Sequence, residues 1–513
     1  MASLASMITR QNYVVPIKVA KFDNIQQDEP LVAVTVSEAN NLSSLGGVPA
    51  SPPAATAAAH IQPVMAQKIA PLADIRILDF TRIIAGPFAT MLLADLGAEV
   101  WKVERPKTGD DSRHFKPPSV NGESCYFMSF NRNKKSIVID MKTKEGRKLI
   151  EQLAMKADVL VENFAPRTMD DNGLGYESLK RIAPHLIFCS ISGYGPTGPL
   201  ANRGGYDVVA AAIGGFLNIT GPKDGEPVKA GIAVTDLMTA QYAHGAIMAA
   251  LIHRQKTGKG QKIDCSLLAT QIAALTNIGS GYLNTGKEPR KWGTDHETIV
   301  PYRGFETKDG KWLVVGAGND RMWRQFCEVI GMPELIDQPD FSTNMERVKN
   351  RDTLVPILED RFLTKTLDEW SKLFEPTTMP FGPVNDMRGA FSNPQVVHSD
   401  LVKEVDHPTA GKVKMTGPPV LFSESENSVR LAPPLLGQHT REILTTALGL
   451  GVDEISHLRS SGVIDFPDSD PKRPSSSAKG SLVANPADDL HRRAVRPDSI
   501  ARKHPSRVRQ RLN

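Results

Sequence analysis

The chain has 513 residues, of which 40% are hydrophobic and 23% charged, an ordinary balance for a globular protein. No uncharged apolar run approaches the ~18 residues that a membrane span requires, so we expect no membrane partner. The net charge of +4 is uneven, because the eleven basic and three acidic residues of 471–513 give that segment +8 and leave −4 on the rest. A mildly acidic body gives no reason to expect a nucleic-acid partner.

The N-terminal region differs in composition from the rest of the chain. Residues 1–40 are interpreted as a leader, and residues 41–70 are rich in Ala, Pro and Ser, which is typical of a linker. The first 22 residues hold three basic side chains and no acidic one, as organellar transit peptides do. We therefore expect a mitochondrial location, with the cytoplasm as the alternative.

From residue 71 the hydrophobic spacing alternates between strand and helix periods. The predicted elements, in chain order, are a strand at Ile75–Phe80, a helix at Gly86–Leu96, strands at Glu99–Glu104 and Ser136–Met141, a helix at Lys144–Ala157, and strands at Asp158–Phe164 and Leu186–Ser192. Strands and helices in this order predict βαβ units and a parallel sheet. We expect a large, Rossmann-like, open parallel-sheet domain of class α/β over residues 71–285.

A second, smaller α+β domain is predicted for residues 286–395. Its elements are a hairpin of Tyr302–Thr307 and Trp312–Gly316 that turns at Asp309-Gly310, and helical segments at Arg321–Ile330 and Leu354–Leu373. Residues 396–465 are predicted to return to the large domain through Val413–Phe422 and Ile443–Leu448. Residues 466–513 are predicted to be a basic, disordered tail.

The four cysteines lie far apart, with no C-x-x-C pair and no spacing of the kind that metal ligands show. We expect a reducing compartment and no metal site. Several basic residues stand near predicted strand ends, among them Lys102, Arg105, Lys134 and Lys142. Because ligands of open α/β sheets bind at such ends, a phosphate-rich ligand is one interpretation and ordinary solvated lysines are the other.

Gly193–Pro199 comes directly after a predicted strand and matches the pattern G-x-G-x-x-G. A dinucleotide site also needs a helix opening at the third glycine and an acidic residue about 20 positions further on. Here Pro196 and Pro199 would break such a helix, and no acidic residue lies between Asp207 and Asp224. An NAD-dependent oxidoreductase is therefore the weaker interpretation, and a rigid glycine loop beside a ligand is the stronger one.

Asp236 stands at the start of a predicted helix, Leu237–Ile252, that is apolar almost all round. Aspartate is a preferred N-cap residue, so a purely structural role is the commoner interpretation. The alternative is a nucleophile: the start of a helix favours an ionised carboxylate, and a carboxylate attacks a carbonyl without a general base.

Many motifs in the right order make the chain, from about residue 71 to 464, similar to the class III CoA-transferases. The matching stretches are Leu78–Pro87, Asp95–Arg105, Asn131–Ser136, Asp158–Phe164, Gly193–Pro199, Gly205–Asp207, Lys256–Gln261 and Leu435–His439. Further stretches at Lys291–Thr294, Ile299–Tyr302 and Phe381–Pro383 resemble members that use succinyl-CoA and glutarate. The resemblance implies a large Rossmann-like domain, a small domain and an interlocked homodimer.

The resemblance also implies roles for particular residues. The family's nucleophilic aspartate falls on Asp236. The positions that contact CoA fall on Ile84, Ala85, Arg105, Ile139, Asp140, Met141, Lys142, Asn163, Phe164, Ala165, Gly204, Gly205, Tyr206 and Asp207. Coenzyme A would be substrate and product, with no tightly bound cofactor and no metal, and the partners would be acyl-CoA and small carboxylic acids.

The implied activity moves CoA from succinyl-CoA to a dicarboxylic acid such as glutarate, through aspartyl anhydride and aspartyl-CoA thioester intermediates. A dicarboxylate needs a cation for its distal end, for which Arg82, His296 and Arg303 are candidates. Backbone N–H groups near Gly214-Gly215 or in Gly193–Gly198 are candidates for stabilising the oxyanion.

Two alternative functions remain open beside CoA transfer: one belongs to enzymes of the same fold, and the other to a protein that binds the same ligand. Acyl-CoA racemases and epimerases of this fold use a histidine that aligns here with Tyr206, and a phenol is a poor base at neutral pH. The other alternative is a protein that binds CoA without catalysis.

Overall fold

The computed structural model describes residues 68–468. The predicted leader, residues 41–67 of the predicted linker, and residues 469–513 of the predicted tail lie outside the described residues. The transit-peptide interpretation and the disorder of the basic tail therefore stay predictions.

The described residues form both strands and α-helices. The strands are β1 Arg76–Asp79, β2 Glu99–Glu104, β3 Ser119–Val120, β4 Glu123–Ser124, β5 Lys134–Ile139, β6 Val159–Glu162, β7 Ile187–Ser192, β8 Lys262–Ser266, β9 Tyr302–Glu306, β10 Trp312–Gly316, β11 Phe381–Pro383, β12 Val402–His407, β13 Gly411–Thr416 and β14 Ile464–Asp465. The helices are α1 Ala85–Asp95, α2 Cys125–Ser129, α3 Lys144–Ala154, α4 Thr168–Asp171, α5 Tyr176–Ile182, α6 Asp207–Ile213, α7 Val234–Thr257, α8 Leu267–Ala274, α9 Thr276–Thr285, α10 Asp320–Ile330, α11 Asn344–Lys349, α12 Arg351–Phe362, α13 Leu367–Phe374, α14 Met387–Ser392, α15 Pro394–His398, α16 Thr440–Leu448 and α17 Val452–Ser460.

The main sheet has seven strands in the order β14-β5-β2-β1-β6-β7-β8. All neighbouring pairs are parallel except β14 with β5. The six parallel strands therefore have the doubly wound order 3-2-1-4-5-6, in which the direction of winding reverses between β1 and β6. The predicted α/β class with a large parallel sheet is confirmed, whereas β14 was not predicted.

Helices cover both faces of this sheet because alternate strand residues point to opposite sides. On one face Leu78 packs with residues of α3, α5 and α16. On the other face Ile77 packs with α1 and α7. Only one side of α7 is buried in a single chain, since Tyr242 is 56% exposed and Ile252 52%, although its sequence is apolar almost all round.

The segment at Val413–Phe422 does not join the main sheet. Its β13 pairs with β12 in a two-stranded antiparallel hairpin, whose Val413 packs against Met128. The later segment, in α16, lies over the main sheet through Ile443 and Leu444.

A separate three-stranded antiparallel sheet, in the order β11-β10-β9, includes the predicted hairpin. Its core is aromatic, and the rings of Phe305 and Phe362 stack 4.2 Å apart. The predicted helical segment Leu354–Leu373 is two helices, α12 and α13, because Thr366 and Glu369 form a capping box that begins a new helix. The domain boundaries predicted after residues 285 and 395 stay a prediction. Among residues 68–468, no helix combines the length and apolarity needed to cross a membrane.

Candidate active site

A cavity of about 330 Å³ lies at the carboxyl ends of β1 and β6, where the winding of the sheet reverses. Open α/β sheets bind their ligands at this point. Eight of the predicted CoA positions and the predicted nucleophile line it: Ile84, Ala85, Asn163, Phe164, Ala165, Gly204, Gly205, Tyr206 and Asp236. Residues more than 150 positions apart in the chain are thus gathered around one space.

A second cavity of about 220 Å³ adjoins the first, since Arg82 and Phe164 line both. Arg105 and the consecutive residues Ile139, Asp140, Met141 and Lys142 line this second space. Asp207 lines neither cavity, but its carboxylate contacts the backbone of Asp236. The predicted CoA positions are therefore neighbours in space, and their contact with CoA stays a prediction.

The turn that joins β1 to α1 forms one wall of the first cavity. The Arg82 N–H donates to Asn163 Oδ1 at 2.9 Å, and Asn163 Nδ2 donates to the Arg82 carbonyl at 2.8 Å. Ile83 has a φ of +71°, a left-handed conformation that is uncommon for a β-branched residue. Sequence reasoning missed this feature, because neither Ile83 nor its neighbours carry the Gly or Asn that usually signals such a turn.

Lys102 and Lys134, which the sequence suggested as phosphate ligands, line neither of the two cavities. Both side chains are fully buried; Lys102 pairs with Asp110 at 2.9 Å, and Lys134 pairs with Asp79 at 2.9 Å. Burial lowers the pKa of Lys134 to about 8, although Asp79 opposes the shift. The two lysines belong to the support beneath the cavities, which corrects the interpretation drawn from their place near strand ends.

Asp236 lies in the first turn of α7 and is not its N-cap, since that position belongs to Ala233. The capping interpretation is therefore wrong. The Asp236 N–H donates to Asp207 Oδ1 at 3.1 Å, which places the Asp207 carboxylate beside the backbone of Asp236.

The ionisation of Asp236 also differs from the expectation. Burial, and in second place the negative charge of Asp207, raise the pKa of Asp236 to about 7. Desolvation thus outweighs the favourable effect of the helix start, which is worth only ~1 kcal/mol. Burial and the same two carboxylates raise the pKa of Tyr126 as well, so this phenol lies within their field. Near neutral pH, Asp236 is poised between its protonated and ionised forms.

The glycine loop approaches the cavity closely. Gly193 and Gly205 lie backbone against backbone, and a Cβ on Gly193 would come within 2.6 Å of the Gly205 Cα. Gly193 lines the cavity of Asp236, whereas Gly214-Gly215 are not among its lining residues. The next helix after the loop, α6, begins only at Asp207, so the dinucleotide pattern lacks the helix that it requires.

The three candidates for a distal carboxylate have different surroundings. Arg82 lies between the two cavities; its Nη1 donates to Asp111 Oδ2 at 2.8 Å, whereas its Nε is buried without a hydrogen-bond partner. Arg303 is held by Asp295 at 2.9 Å and Glu359 at 2.8 Å, beside another cavity. The His296 ring is stacked on Tyr302. Of these three candidates, Arg82 is the one that shares a cavity with Asp236 within the described chain.

Comparisons with known proteins agree with this arrangement. The model of the family described as CoA-transferase family III matches residues 72–440. Succinyl-CoA:glutarate CoA-transferase of Homo sapiens is 51% identical over 397 residues, which cover 77% of this chain and 90% of that protein. Succinate–glutarate CoA-transferase of Agrobacterium fabrum is 39% identical over 385 residues, covering 73% of this chain and 95% of that protein.

A solved structure has the same architecture. The crystal structure of a CAIB/BAIF family protein from Brucella suis is similar with a TM-score of 0.67 and 39% sequence identity. The similarity covers 74% of this chain and 100% of that chain. It extends the likeness from sequence motifs to the whole fold.

The contact between Asp207 and Asp236 generates a prediction. Replacing Asp207→Asn removes a negative charge but keeps an oxygen for the Asp236 N–H, so the pKa of Asp236 should fall by about one pH unit. Carboxyl ¹³C NMR of aspartate-labelled protein measures this value, with the Asp236 signal assigned by its loss in Asp236→Asn. The control is Asp171→Asn, an exposed carboxylate paired with Arg167. An unchanged midpoint in Asp207→Asn would show that Asp207 does not act on Asp236.

Proposed function

The chain belongs to CoA-transferase family III, and from this premise we propose that it moves CoA from succinyl-CoA to glutarate with Asp236 as the nucleophile. The observation that carries the proposal is the position of Asp236 in the cavity at the switch point of the sheet, among the residues predicted to contact CoA. The relatives named for succinate and glutarate support the choice of substrates.

The first half of the reaction loads the enzyme. The Asp236 carboxylate attacks the thioester carbonyl of succinyl-CoA, so the C–S bond breaks and leaves an aspartyl–succinyl anhydride with CoA thiolate. The thiolate then attacks the Asp236 carbonyl. Succinate leaves, and Asp236 carries CoA as a thioester.

The second half runs the same steps in reverse with a new acid. A carboxylate of glutarate attacks the aspartyl thioester, which gives a second anhydride and frees the thiolate. The thiolate attacks the glutaryl carbonyl, so glutaryl-CoA forms and the Asp236 carboxylate returns. One thioester replaces another, so the reaction needs no separate source of energy.

This chemistry requires an ionised nucleophile and a site that water enters poorly, and the surroundings of Asp236 suit both requirements. Near pH 7 a large fraction of the carboxyl group is ionised and can attack, and its partial burial limits the access of water. Limited access matters because anhydrides hydrolyse readily. Backbone N–H groups of the Gly193–Gly198 loop are our candidates for the oxyanion, since Gly193 lines the cavity.

The distal carboxylate of glutarate is proposed to bind Arg82. A buried guanidinium N–H without a partner is costly, and a carboxylate would satisfy it. Arg303 is a weaker candidate, because it lines a different cavity from Asp236 and two carboxylates hold it, whereas Arg82 pairs with one, Asp111.

We further propose that the enzyme acts as a homodimer. Helices α9, α14 and α15 have no buried residue in a single chain, although they carry large apolar side chains such as Leu283, which is 82% exposed. Apolar surface of this kind is typical of an interface. The mitochondrial location, suggested by the basic and acid-poor first 22 residues, likewise remains our proposal, with the cytoplasm as the alternative.

The main test removes the nucleophile. Asp236→Asn and Asp236→Ala should each slow the formation of glutaryl-CoA from succinyl-CoA and glutarate by about a thousandfold or more, because the covalent route is lost. Product is measured by liquid chromatography, and CoA binding by calorimetry should survive. The matched control, Asp224→Asn, changes an exposed aspartate outside the cavity and should retain full rate. Transfer by Asp236→Asn at the wild-type rate would overturn the proposal.

A second test addresses the acceptor. Arg82→Met should raise the KM for glutarate by about tenfold or more and leave the KM for pentanoate, a monocarboxylate of equal length, nearly unchanged. Arg303→Met serves as the matched control and should affect neither acid selectively. Equal losses for glutarate and pentanoate in Arg82→Met would refute the assignment of Arg82.

A further inference from the structure

The turn between β1 and α1 holds a strained residue beside the nucleophile. Ile83 adopts a φ of +71°, in which a β-branched side chain crowds the backbone. The next residues, Ile84 and Ala85, begin α1 and line the same cavity as Asp236. The direction in which α1 leaves the sheet therefore depends on a conformation that isoleucine does not favour.

A buried carboxylate holds this conformation. Asp110 Oδ1 accepts the Ile83 N–H at 3.1 Å, and Asp110 has no exposed surface. The same oxygen accepts the backbone N–H of Ser112 at 2.9 Å and its hydroxyl at 2.8 Å, which fix the position of the carboxylate. Asn163 holds only the preceding residue, Arg82, through its N–H and carbonyl.

Lys102 fixes the other oxygen of Asp110. Its Nζ lies 2.9 Å from Asp110 Oδ2 and donates to the Thr81 carbonyl at 2.8 Å. Burial alone would raise the pKa of Asp110, but Lys102 and the hydrogen bonds from Ser112 lower it to about 2. Asp110 is therefore ionised at neutral pH and accepts hydrogen bonds through both oxygens.

We propose that Asp110 is a positioning residue, which accepts the Ile83 N–H and so holds the left-handed turn that places Ile84 and Ala85 against the cavity of Asp236. The inference rests on the proposed function, since its effect is measured as CoA transfer. Asp110 does not touch the reacting atoms; it acts through the backbone of residue 83. Without it, Ile83 relaxes to a negative φ and the start of α1 turns away from Asp236.

A double-mutant cycle tests this role. In Asp110→Asn the amide oxygen turns to Lys102, and the NH₂ group then faces the N–H of residue 83, so the acceptor is lost. Glycine adopts a positive φ without help, so Ile83→Gly should make Asp110 dispensable for the turn. We expect Asp110→Asn to lower kcat about tenfold relative to the wild-type protein, in which Ile83 is present. In the Ile83→Gly background, the same substitution should lower kcat less than about twofold relative to Ile83→Gly alone. Because Ile84 and Ala85 are also predicted CoA contacts, the KM for succinyl-CoA should rise when Ile83 is present and stay nearly unchanged in the Ile83→Gly background.

The four proteins of the cycle are also compared by thermal unfolding, and Asp110→Ser is studied in parallel. If neither Asp110 variant folds while Ile83 is present, but both fold and transfer CoA once Ile83→Gly is added, the result would support the role. Equal loss of kcat in the two backgrounds, or failure to fold in both, would overturn it, because Asp110 would then serve the fold independently of residue 83. Absence of transfer in the wild-type protein would reject the proposed function instead.

Discussion

A network of buried ion pairs beneath the carboxyl ends of the central strands is the constraint on which the site depends. Asp79 at the end of β1 pairs with Lys134 at the start of β5, and Lys102 of β2 pairs with Asp110 in the turn after that strand. Buried charges are costly unless they are paired and hydrogen-bonded, so the arrangement has few alternatives. It ties β5 to β1 and, through Lys102 of β2, holds Asp110 and the Thr81 carbonyl in the turn that leads into the cavity.

The site above this network combines opposing electrostatic effects. Nucleophilic attack needs an ionised carboxylate, whereas burial and the nearby charge of Asp207 favour the protonated form of Asp236. A fully solvated carboxylate would be ionised but a weaker nucleophile, and water could hydrolyse the anhydride that it forms. A pKa of about 7 is the compromise, since it leaves an ionised fraction at neutral pH in a partly desolvated cavity.

The parallel sheet was predictable from the sequence because strand and helix periods are local signals, and the gathering of the candidate residues followed from the resemblance to a known family. Prediction failed where tertiary context decides. Lys102 resembled an exposed ligand for phosphate, yet its charge is fully buried and paired. Asp236 resembled an N-cap, yet the N-cap of α7 is Ala233, three residues earlier. The left-handed Ile83 had no signal in the sequence, since its conformation is held by Asp110, a residue of another segment.

Mass spectrometry of the protein after incubation with succinyl-CoA alone and then with hydroxylamine is the most direct test of catalysis through Asp236. Covalent catalysis predicts a hydroxamate on the peptide that carries Asp236, absent without succinyl-CoA and absent from Asp236→Asn. An unmodified peptide from a preparation that forms glutaryl-CoA at its full rate would contradict it.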